Sequence, residues 1–143
     1  MNSIAFTIAI WAFAELFALI DFMFIVTYKR NPKHWTRAII RFVVMVLFAG
    51  LACRFSYETV FYLVYGCALF WLIFELRLNQ RRGNSPFYIG KNAWSDKLFR
   101  ILKIEGEKLF VFKLVVIAFT IIALYYSKDI HNLILQLCQL LNS

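Results

Sequence analysis

Four apolar stretches long enough to cross a bilayer alternate with basic segments along this chain, and that alternation leaves few folds open to it. Fourteen of the sixteen Lys and Arg residues lie within Tyr28–Arg41 and Arg77–Lys113, and the rest of the chain is almost entirely apolar. A spanning helix needs roughly 20 apolar residues, and basic loops stay on the cytoplasmic side. The expected fold is all-α: a four-helix transmembrane bundle, N-out and C-out, forming a single integral membrane domain over residues 1–143. Its spans are predicted at about 4–27, 38–54, 59–76 and 109–126, with an inner loop over 77–108 and an amphipathic tail over 129–143.

At 62% hydrophobic and 19% aromatic, the chain has too few polar side chains to clothe a soluble domain, so lipid must be its outer solvent. The net charge of +8 would suit nucleic acid, but the cations flank apolar spans. Anionic lipid headgroups account for them at about 1 kcal/mol per Lys or Arg near the surface. The expected partners are therefore the bilayer and another membrane protein or a second copy, with no nucleic acid. Met1-Asn2-Ser3 carries no basic side chain, and Glu15 and Asp21 interrupt an apolar stretch too long for the core of a signal peptide. This segment is expected to be retained as the first span. Cys53, Cys67 and Cys138 form no CxxC pair, which argues against a disulfide framework or a zinc site, and no cofactor or metal is expected.

Tyr28-Lys29-Arg30 closes the first span, and Asn31-Pro32 makes the turn, because the residue before a proline is pushed out of helical geometry. Arg37 and Arg41, four apart, share one face of the second span. Only Cys53–Glu58 separates spans two and three, which predicts a tight antiparallel hairpin with Ser56 as N-cap and Glu58 in the first turn. In the inner loop, a turn over 79–86 precedes a cytoplasmic interfacial helix over Trp94–Leu102. Trp94, Leu98, Ile101 and Leu102 fall on one face of it, with Asp96, Lys97, Arg100 and Lys103 on the other. Arg81, Arg82, Lys91, Trp94, Lys97, Arg100 and Lys103 are the expected headgroup contacts, and Lys113 is expected to snorkel to the inner interface. In the tail, Ile130, Leu133, Ile134, Leu137, Leu140 and Leu141 follow helical spacing, opposite His131, Asn132, Gln136 and Gln139.

The polar residues expected within the membrane are Glu15, Asp21, Arg41 and Glu75. The first span holds thirteen Leu, Ile, Phe or Val residues, which favour insertion by ~4–8 kcal/mol in total. Two carboxylates near the bilayer centre oppose it by up to ~5–7 kcal/mol. The span is close to break-even alone and needs neighbours. Six residues apart, the two acids lie roughly 120° from each other around the helix. Asp21 is expected to pair with Arg41 and fix helix packing. Glu15 has no basic residue at its predicted depth, so it is expected to be protonated or bonded to the hydroxyl of Tyr62, Tyr65 or Thr120. Glu75 with Arg77, and Arg54 with Glu58, read as boundary pairs.

The stretch Gly83–Asn92 contains Gly-Lys but fails as a phosphate loop, since the glycine spacing is wrong and Asn92 stands where a magnesium-binding hydroxyl belongs. His34 and His131 fall on opposite sides of the predicted membrane and cannot share a site. The expected function is therefore non-enzymatic: a small multi-pass protein, at the bacterial inner membrane, acting as a subunit or interaction partner in an assembly. The alternative is a pore or small ion or proton channel using Glu15 and Asp21. In small size and several spans that alternative resembles the phage holins, although those commonly carry a charged cytoplasmic tail and this tail is apolar.

Overall fold

A segment in lipid must satisfy its backbone hydrogen bonds internally, and each apolar run here does so as a helix. The computed structural model describes residues 3–28, 34–88 and 99–141, among which no strand occurs. The helices are α1 (Ser3–Tyr28), α2 (His34–Cys53), α3 (Glu58–Arg81), α4 (Glu107–Tyr125) and α5 (Ser127–Leu141). The first four are long and apolar enough to cross a membrane. The third span is longer than predicted: the helix continues past residue 76, through Arg77, to Arg81.

Helix α3 is the hub. Against it pack α1, α2 and α4, whereas α1 and α2 touch each other only lightly. Helices α1 and α3 run parallel, since Ser3, Thr7 and Phe13 meet Tyr62, Tyr65 and Phe70 in rising order. Ala14 and Ala18 of α1, Ala49 of α2, and Gly66 and Ala68 of α3 are buried. Small side chains let helix backbones approach closely, which matters where lipid removes the hydrophobic contrast that drives packing in water. Phe6, Ile10, Phe13, Met45 and Tyr65 fill the remaining core. At its far end Ser3 Oγ lies 2.8 Å from the Tyr62 hydroxyl. Thr7 donates to the Ser3 carbonyl and so accepts from Tyr65 at 3.1 Å.

Helices α2 and α3 both close with residues in left-handed backbone. At the end of α3 the residue is Gly83 (φ 67°), with Asn84 N–H donating to Asn79 O at 3.0 Å and Gly83 N–H to Gln80 O at 3.1 Å. This is the Schellman pattern. The hairpin after α2 uses the same six-to-one bond, Phe55 N–H to Gly50 O at 2.8 Å, but its left-handed residues are Arg54 (φ 53°) and Phe55 (φ 54°). Ser56 does not cap α3 with its side chain, contrary to expectation. Its carbonyl accepts from Thr59 N–H at 3.0 Å, and Tyr57 occupies the cap position in right-handed backbone. Nor does an ion pair join Arg54 to Glu58 among the described residues: the left-handed turn leaves Arg54 exposed. A side chain in this conformation costs ~1–2 kcal/mol, against ~0.5–1 kcal/mol for ordering glycine. Arg54→Gly should therefore stabilise the protein by about 0.5–1 kcal/mol. Denaturation in mixed micelles would show this, and a loss of stability would mean the Arg54 side chain makes a compensating contact.

Three of the expected headgroup contacts, Lys91, Trp94 and Lys97, and the first part of the expected interfacial helix, residues 94–98, lie outside the described residues. The segment resumes in a helical turn at Phe99, whose ring stacks on Trp71 (5.6 Å) and meets Phe112 (5.7 Å). That turn ends with Lys103 in left-handed backbone (φ 55°) and Ile104 N–H donating to Phe99 O at 2.9 Å. Helix α5 leaves α4 after Tyr126 and touches the rest of the chain sparingly, His131 stacking on Tyr57 at 4.0 Å. Cys53, Cys67 and Cys138 are free thiols.

Candidate functional site

A carboxylate within the membrane is costly unless a cation meets it, and three acids of α1 and α3 are each met by cations of a neighbouring helix. Arg37 and Arg41 of α2 both pair with Asp21, one on each carboxylate oxygen. Arg77 and Arg81 of α3 both pair with Glu15, again one on each oxygen, with Arg81 at 3.1 Å. Glu75 of α3 pairs with Lys113 of α4 and accepts from Trp71 Nε1 at 2.7 Å. The pairs join the helices in the order α2, α1, α3, α4. Glu15 lies at the middle of α1, and the other paired residues lie in the C-terminal halves of α1 and α3 and the N-terminal halves of α2 and α4, the end that carries the basic segments.

Two of these sites share a design read directly from spacing. Arginines four apart lie one above the other on a helix, so each pair grips a single carboxylate from one side. The six-residue offset between Glu15 and Asp21 then aims the two acids at different neighbours, Asp21 at α2 and Glu15 at α3. Arg41 is further enclosed by the rings of Phe74 (4.3 Å), Phe17 (5.3 Å) and Phe70 (5.9 Å), and Arg37 lies over Phe24 at 4.3 Å. Cation–π contacts of this kind are worth most when desolvated. Among the described residues the buried Arg41 Nε–H has no hydrogen-bond acceptor, and the aromatic rings and Asp21 are the stabilising surroundings of this guanidinium.

Asp21 and its partners are the drier set. Their side chains are 10%, 17% and 18% exposed, against 21%, 39% and 33% for Glu15, Arg77 and Arg81. In both, two guanidinium charges face one carboxylate charge, so each set carries one uncompensated positive charge. The Glu75–Lys113 pair is balanced, with Lys113 only 5% exposed and its ammonium 4.5 Å from the Trp71 ring centre.

The structure brings Asp21 and Arg41 together and adds Arg37 to them. It corrects the reading of Glu15, which has two arginine partners. Side chains on a helix lean towards its N-terminus, so Arg77 and Arg81 reach back along α3 to the level of Glu15. The hydroxyls expected beside it are engaged elsewhere: Tyr62 with Ser3, Tyr65 with Thr7, and Thr120 donating to Ile117 O at 2.8 Å. Glu75 and Arg77, two apart, point to different sides of α3 and serve different pairs. Arg81, expected among headgroup contacts, also pairs with Glu15, and Lys113 is buried at Glu75 instead of snorkelling. Arg82 and Lys103 are exposed and Arg100 is half-buried.

Asn79 was missed entirely. Buried at the foot of α3, it donates to Tyr88 O at 2.9 Å and Pro86 O at 3.4 Å, tying the start of the inner loop to the helix. The proline-containing turn that follows could have hinted at a side chain waiting for its carbonyls. Among the described residues no group of three His, Cys, Asp or Glu side chains converges. Comparison of the chain with protein-family models, curated proteins and solved structures returns no match.

Proposed function

We propose that this chain is a non-enzymatic subunit of a larger membrane assembly, joined to a second copy or another membrane protein through α5. The observation that carries the reading is the row Leu133, Ile134 and Leu137 on α5, all exposed, with no helix among the described residues packed over it. In this reading the chain spans a bacterial inner membrane with both termini outside and residues 77–108 in the cytoplasm, in keeping with the basic residues at that end. The clamps on Glu15 and Asp21 support a structural role for the two acids over an ion or proton path. A carboxylate held by two guanidiniums is a fixed strut between helices.

A photo-crosslinking residue at Leu137 tests the proposal in native membranes. A cross-linked species of discrete protein mass is expected, either twice the chain mass or that of a defined partner. It should be lost when Leu133 and Leu140 are changed to serine. Cross-links to lipid alone would show α5 lying on the bilayer surface and overturn the proposal. Cysteine labelling at Arg82 and Ser143 tests the topology, and the two sites are expected in opposite compartments.

A further inference from the structure

Between α1 and α3, on the side of the Glu15 clamp, runs a groove of about 390 Å³ lined by Trp11, Ile73, Leu76, Arg77, Gln80 and Pro86. Its upper part is apolar and its lower end is basic. The register set by Thr7 with Tyr65 and Phe13 with Phe70 puts Trp11 beside Ala68 and Leu69. From there to Gln80 the groove extends ~16 Å at the helical rise. That is about half of a ~30 Å hydrocarbon core, the depth of one leaflet.

The floor has charge to spare. Arg77 lines the groove and Arg81 shares Glu15 with it; the one carboxylate neutralises one of the two arginines, and both side chains are about one-third exposed or more. Among the described residues their one further partner besides Glu15 is the Gln80 amide oxygen, which accepts from Arg77 at 3.0 Å. Most of their N–H donors are therefore left for a further acceptor, and a guanidinium matches phosphate oxygens in geometry. Arg82 stands exposed one residue beyond.

We infer that this groove binds an anionic phospholipid of the leaflet at the basic end of the bundle, its phosphate on Arg77 and Arg81 and an acyl chain lying along Leu76 and Ile73 to Trp11. The charge excess selects for an anionic headgroup, and the match to one leaflet selects a lipid over a soluble phosphate. The inference needs only that the chain lies in a bilayer, and it holds whether or not α5 recruits a partner.

Native mass spectrometry of the full chain, delipidated in detergent and offered phosphatidylglycerol and phosphatidylcholine together, tests it. One phosphatidylglycerol should be retained in preference by about fivefold, the ratio that about 1 kcal/mol of attraction to one uncompensated arginine corresponds to. Ile73→Trp fills the groove without touching the ion pairs and should abolish retention. Arg81→Gln should remove the preference while Arg77 still holds Glu15. Equal retention of the two lipids by the unmodified chain, or undiminished retention by a folded Ile73→Trp variant, would overturn the inference. So would displacement of the lipid by millimolar glycerol phosphate, since a headgroup-sized anion would then suffice.

Discussion

Asp21→Ala is expected to destabilise the protein by about 3–5 kcal/mol, the cost of removing one partner from a buried ion pair. The loss follows from what remains: Arg37 and Arg41, less than a fifth exposed, face each other with no anion between them. Removing Arg41 alone should cost less, because Arg37 still meets the carboxylate. It also strips contacts from Phe17, Phe70 and Phe74, so the single variant does not isolate the pair. A double-mutant cycle does. Neutralising Arg41 in the Asp21→Ala background should recover part of the loss, and neutralising Arg37 as well should recover more. Unfolding measured in mixed micelles would give these values. Strictly additive losses would mean that Asp21 stabilises the bundle by some means other than its arginines. Glu15→Gln, in the wetter clamp, should cost less than Asp21→Asn in the same assay.

The second large effect is expected at Gly66. It sits on the hub helix where α1 and α2 converge, and a Cβ there would stand 3.0 Å from Phe6 Cζ and 3.1 Å from Met45 Cε. Both neighbours are essentially fully buried, so neither has open space to move into. Gly66→Ala should cost about 1–3 kcal/mol, the usual range for overpacking, and Gly66→Leu more than that. Because the clash is steric, Phe6→Leu should partly rescue Gly66→Ala while being destabilising by itself. No rescue would indicate that the damage at Gly66 lies in the helix backbone and not in the contact with Phe6.

Much of the fold was legible because its signals are local. Apolar runs of membrane length and the basic residues between them require no knowledge of neighbours, and the four long helices follow. The pairing of Asp21 with Arg41 was readable too, since depth along two consecutive helices joined by a short turn can be counted from the turn. Glu15 could not be read this way. Its partners are sixty-odd residues away on α3, and two facts decide the match: α3 continues past residue 76, and it, more than α2, packs against α1. The 77/81 spacing was visible in the sequence and repeats that of 37/41, but nothing along the chain says which acid it serves. Asn79 belongs to the same class, a residue whose role depends on where the next loop returns.

The amino-acid order alone determined that this chain makes long apolar helices and gathers its cations at one end, because hydrophobicity, helical spacing and charge are properties of short segments. Tertiary structure decided which helix is the hub, which cation meets which acid, and where a groove is left open beside a spare positive charge. Those outcomes depend on the rotation and stagger of one helix against another. These are set by how Gly66, Ala14 and Ala49 let the backbones close, and in lipid it is such contacts, more than hydrophobicity, that choose among the arrangements.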